Sequence, residues 1–137
     1  MASITDLWPE ELAAEPAQKA PGGILREPAA LLGPRTNNLL EGRVETRPDP
    51  RMARLHHSFK IDCASALDFY QFDLFSLSHG VNEFYPLEAL AHGKQVQLNS
   101  EADLIAWLRT VFASPETKRI IGTLLAMIEQ LAGVAGR

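Results

Sequence analysis

Two stretches of this chain alternate apolar and polar residues with a period of two. Arg54 to Cys63 places Leu55, His57, Phe59, Ile61 and Cys63 on one side and charged or hydroxyl residues on the other. Phe69 to His79 begins in the same way, with Tyr70, Phe72 and Leu74 against Gln71 and Asp73. Its second half then sends Phe75, Leu77 and His79 to what should be the polar side. Alternation of this kind marks strands with one face on a core. The phase change predicts a bulge near Leu74, or a sheet end covered on both faces.

Leu39 to Arg47 supplies another alternating strand, and Pro48-Asp49-Pro50 reads as a turn. Pairing it with Arg54 to Cys63 around a turn centred on Pro50 and Arg51 predicts a register. Leu40 faces Ile61, Gly42 faces Phe59, Val44 faces His57 and Thr46 faces Leu55. On the other side Glu41 meets Lys60 and Glu45 meets His56, so opposite charges pair across the strands. Phe59 would cover the glycine opposite. Phe84 to Leu87 and Lys94 to Leu98 are expected as further strands, with a turn at His92-Gly93.

Helical spacing governs the rest. Ile24 to Leu32 reads as a short helix limited by Pro28 and stopped by Gly33-Pro34. Ser100 caps a helix carrying Leu104, Ile105, Leu108, Val111 and Phe112 on one face. Ser114-Pro115-Glu116 opens the last helix. Its stripe is Ile120, Ile121, Leu124, Leu125, Ile128 and Leu131, widened by Met127 and ended by Gly133 and Gly136. Strands in succession followed by helices predict an α+β fold rather than βαβ units. The expected architecture is a short N-terminal helix, an antiparallel meander of four to five strands, and two C-terminal helices packed on one sheet face. Residues 1–23 are expected to be a flexible arm, and 24–137 a single domain.

Charge refines this picture. The net charge is −4, and residues 1–21 hold −3 of it through Asp6, Glu10, Glu11 and Glu15 against Lys19. The near-neutral body argues against nucleic acid, which wants a concentrated basic surface. Arg43, Arg47, Arg51, Arg54 and Lys60 cluster in sequence, but two of the outer-face neighbours are acids and Lys60 is matched to one of them, so the cluster reads as a solvated sheet face. No apolar run reaches the length of a membrane span, and the acids near the N-terminus interrupt any secretory signal. The single cysteine, Cys63, cannot form an internal disulfide, which favours the cytoplasm. Its place on an apolar strand face makes it a buried hydrophobe.

Candidate chemistry is sparse. Of four histidines, His56 and His57 point to opposite strand faces and cannot easily share an ion. The plain reading sets His57 at the core edge, bonded to a neighbour, with His56, His79 and His92 exposed. Cys63 and His57 lie ~20 Å apart along one strand, too far for a thiol–imidazole pair. No metal or other cofactor is expected. Aromatic residues around the third strand are core first, and a pocket lining second. Such a pocket would use His57, Tyr70, Phe75, His79 and Tyr85. Trp8 on the acidic arm is a docking anchor, folds back onto its own domain, or is simply disordered. Leu124, Met127 and Ile128 give the last helix a broad apolar arc suited to a partner. The reading is a small cytosolic, non-enzymatic binding or adaptor module, working through protein contacts or homodimerisation. The alternative is a ligand-binding protein or enzyme with a pocket beside the third strand, at His57, Tyr70 and His79.

Overall fold

The computed structural model describes residues 7–9, 19–63 and 70–135. Helix α1 (Pro21–Arg35) is followed by strands β1 (Leu40–Asp49), β2 (Arg54–Cys63), β3 (Tyr70–Gly80), β4 (Glu83–Ala91) and β5 (Lys94–Leu98). Helices α2 (Glu101–Phe112) and α3 (Pro115–Ala135) complete the fold. The strands form one antiparallel sheet in the order β1-β2-β3-β4-β5. The α+β layout is thus the one the periodicities predict.

The β1–β2 register differs from the expected one by two residues. Gly42 pairs with Ile61, Val44 with Phe59 and Thr46 with His57. A shift of two keeps every side chain on its face, so the hydrophobic pattern cannot detect it. The turn decides instead. β1 continues through Pro48 to Asp49, and Ala53 adopts a left-handed φ of 51° in a turn over 50–53. Like charges now sit directly opposite, Glu41 to Asp62 and Arg43 to Lys60. Opposite charges meet on the diagonals: Arg43 Nε bonds Asp62 at 3.0 Å and Lys60 lies 3.9 Å from Glu45. Lys60 also holds Asp73 on β3. Arg43, Arg47, Arg54 and Lys60 thus each stand beside an acid, whereas Arg51 lies exposed in the turn.

Gly42 is covered by a helix rather than by Phe59. A Cβ there would lie 2.6 Å from the Ala29 carbonyl oxygen and 2.7 Å from Ala29 Cα. Backbone meets backbone at this point, and only glycine allows it. The contact also explains why α1 exceeds its expected length at both ends. Pro21 suits the first turn, and the helix passes through both Pro28 and Pro34. An interior proline costs about 3 kcal/mol; burial of Leu25, Ala29 and Gly33 against β1 offsets it. Thr36 then ends the helix. Its hydroxyl donates to the Leu32 carbonyl at 2.8 Å, and its own oxygen accepts the Leu40 N–H at 3.2 Å. Asn37 and Asn38 take positive φ, which asparagine tolerates.

The phase change in β3 is a bulge. Phe59 pairs with Phe75 while Lys60 pairs with Asp73, so Leu74 is the extra residue. Leu74 and Phe75 are both buried, and the inward set switches from Phe72 to Phe75, Leu77 and His79. Phe75 stacks on Phe59 at 5.1 Å, and Phe112 and Trp107 of α2 meet Phe75 edge-on. Ser100 caps α2 by accepting the Asp103 N–H at 3.1 Å. β4 is longer than its expected core of Phe84 to Leu87, β5 keeps its expected limits, and α3 runs past Gly133. α1 thus covers the β1–β2 side of the inner face, and α2 contributes its aromatic residues over Phe59 and Phe75.

Candidate functional site

The bulge has a chemical result. By turning His79 inward it sets that ring against His57, with centroids 4.9 Å apart and Nε2 to Nε2 at 2.8 Å. His79 is 1% exposed, not exposed as the sequence suggested, and His57 is buried as well. The protons can be assigned by elimination. The Gly80 carbonyl, 2.7 Å from His79 Nδ1, can only accept, so His79 carries its proton on Nδ1. With a single proton on His79 its Nε2 accepts, and His57 donates from its own Nε2. His57 Nδ1 is left as an acceptor and takes the Thr46 hydroxyl proton at 2.8 Å. Thr46, His57, His79 and Gly80 thus form one directed chain of hydrogen bonds.

This chain requires a neutral His57. Burial pushes its pKa down to about 4, with the charges of His79 and His56 adding to the effect. The first turn of α1 lies directly on the ring: a Cβ on Gly22 would stand 3.1 Å from His57 Cε1 and Nδ1. Phe84 meets His79 edge-on from β4. Both Nε2 atoms are spent on each other, so the pair offers no lone pair to a metal. Among the described residues no cluster of three or more His, Cys, Asp or Glu could hold one. The start of α1 packs on this pair through Gly22.

The other residues proposed for a pocket are scattered. Phe75 is core; Tyr70 is 48% exposed at the start of β3, opposite Cys63. Tyr85 is half-buried, and burial together with Glu101 raises its hydroxyl pKa. Only His57 and His79 come together. Of the proposed partner residues, Leu124 and Ile128 face the core, whereas Met127 and Trp8 are exposed. Burial, with Asp62 nearby, raises the Cys63 thiol pKa, the reverse of an activated thiol. His92 Nε2 lies 3.2 Å from Thr117 Oγ1 and 3.4 Å from Ser114 Oγ. Both hydroxyls donate to the Val111 carbonyl, at 2.6 and 2.8 Å. That cluster ties the β4–β5 turn to the start of α3.

Several concavities mark the described residues, two of them of clear chemical character. The larger, about 750 Å³, lies along the polar sheet face at Arg47, Asp49, His56, Ser58, Asp73 and Ser76. Its polar groups engage one another: His56 stands 3.8 Å from Asp49, and Asp73 holds Lys60. The second, about 350 Å³, is a groove between α1 and α3. Phe59, Ile61 and Leu74 form its floor, Leu31, Phe112 and Ile121 its walls, and Arg35 is the one charged residue among the described residues lining it. Leu31 stands 44% exposed at its lip. No sequence pattern signals this groove, because it exists only where α1 and α3 leave a gap across β2.

No protein family, no curated protein and no solved structure matches this chain. No helix among the described residues is long and apolar enough to cross a membrane.

Proposed function

We propose that the protein is a small non-enzymatic binding module whose docking site is the groove between α1 and α3. The occupant is a segment of a protein partner that brings large apolar side chains and an acidic residue. The observation that carries this reading is the pairing of an apolar floor with a single cation, Arg35, among the groove's described lining residues. Apolar anchors in a desolvated groove supply affinity, and a charge at the rim supplies orientation. Lys118, exposed three positions before Ile121 on α3, adds a second cation on that side of the helix. The volume lies near the lower end for a ligand pocket, ~300–1,000 Å³. The exposed Leu31 continues the apolar surface outside it, which suits a chain segment better than an enclosed small molecule. A cytoplasmic setting goes with this reading, supported by the lone buried thiol. Nucleic acid is not an expected partner, because the basic side chains of the sheet face are engaged with acids.

The test is selection of peptides from a random twelve-residue library on the full chain. Enrichment of acidic residues beside two large apolar ones is expected. Leu31→Glu with Arg35→Glu should abolish binding while lowering the thermal melt only slightly, since both side chains are exposed and the charge reversal in the last turn of α1 costs about 0.3–1 kcal/mol. Peptides that still bind this variant, or a selection that yields none, would reject the groove as the docking site.

A further inference from the structure

The chain itself contains a segment of the chemistry just described. Asp6-Leu7-Trp8-Pro9-Glu10-Glu11-Leu12 joins three large apolar residues to three acids. Leu7 is 86% exposed and Trp8 72% exposed, the two most exposed large apolar side chains among the described residues. Residues up to 21 carry a net charge of −3, against the Arg35 guanidinium in the groove. Reach is sufficient. The thirteen residues from Trp8 to Pro21 span up to ~43 Å when extended. Leu31 lies only ~15 Å along α1 from Pro21.

Resting on the groove reading above, we infer that Leu7 and Trp8 dock into the α1–α3 groove of their own chain, with an acid of the arm on Arg35. The arm is then a tethered competitor for any partner. A short tether gives an effective concentration on the order of 1 mM. A groove that holds the free segment at ~100 µM would therefore be about nine-tenths occupied by its own arm. A partner would bind ~10-fold more weakly than to a groove without the tethered competitor.

The probe is a fluorescein-labelled peptide of residues 4–16, titrated by anisotropy into the full chain and into full-length Leu7→Ser/Trp8→Ser. The double variant should bind the peptide ~10-fold more tightly, and adding Leu31→Glu should remove that binding. Light scattering should show the same mass for wild type at all concentrations. Equal peptide affinity for the two proteins would overturn the inference. So would a dimer that grows with concentration and is abolished by Trp8→Ser, since the arm would then enter a second copy. A peptide that binds neither protein would also overturn it. Library-selected peptides that still depend on Leu31 and Arg35 would, in that case, leave the groove reading standing.

Discussion

Lowering the pH should destabilise the fold through His57 before the carboxylates titrate. In the unfolded chain this imidazole has its ordinary pKa near 6.5, and in the fold it is held at about 4. The unfolded state therefore binds more protons between these values, so stability rises with pH there. The contribution is fully present above pH 6.5 and is lost as pH falls toward 4. Linkage gives a loss of about 2 kcal/mol by pH 5 and about 3 kcal/mol by pH 4. The groups facing the ring are His79 from β3, Thr46 from β1 and the first turn of α1. His56, its chain neighbour, adds to the depression. A proton added at His57 Nδ1 would turn Thr46 from donor to acceptor and place charge beneath a helix N-terminus, which disfavours it. The assay is urea unfolding at half-unit steps from pH 7.5 to 5. His57→Gln, which cannot titrate at this position, should be less stable at pH 7.5 yet lose about 2 kcal/mol less than wild type by pH 5. Parallel curves for wild type and variant would refute the assignment of the slope to this ring.

Nitrogen NMR of the imidazoles should find His79 protonated on Nδ1 and His57 on Nε2; the opposite tautomer at either ring would break the proposed hydrogen-bond chain. Thr46→Val keeps the shape but strips a buried acceptor of its donor, and should cost about 1–3 kcal/mol by urea titration. Gly42→Ala should cost about 3 kcal/mol or more, because the new methyl meets backbone rather than a movable side chain. Ser100→Ala should lower stability by about 1 kcal/mol through loss of the α2 cap.

The elements were legible where periodicity and capping agree. Ser100, Ser114 and Pro115 announce the two C-terminal helices, and the phase slip at Leu74 announces the bulge. The register of β1 on β2 was not legible, because shifts of two residues preserve both faces and leave only the turn to discriminate. α1 was misread for a related reason. Local propensity ends a helix at Pro28 or Gly33, but Ala29 on Gly42 is a tertiary contact between residues thirteen apart, and it outweighs the prolines. The charge pairs across the sheet were anticipated in kind but not in partner, since the true register moves them onto diagonals.

The candidate site depends on those same long-range terms. His57 and His79 share a face only because Leu74 is inserted between Asp73 and Phe75, and a sequence pattern alone left two explanations for that phase change. The same inserted residue also forms part of the groove floor beside Phe59 and Ile61. One extra residue in β3 thus has two separate effects. It turns an otherwise polar-facing histidine inward, into the pair on which the start of α1 packs. It also adds an apolar side chain to the gap that α1 and α3 leave open. Any rearrangement that released α1 from His57 would be expected to alter the groove wall carrying Leu31 and Arg35, since both belong to that one helix. Peptide affinity should therefore fall over the same pH range in which the stability of wild type falls toward that of His57→Gln. Affinity that stays constant from pH 7 to 5 while stability declines would show that the histidine pair and the groove are independent.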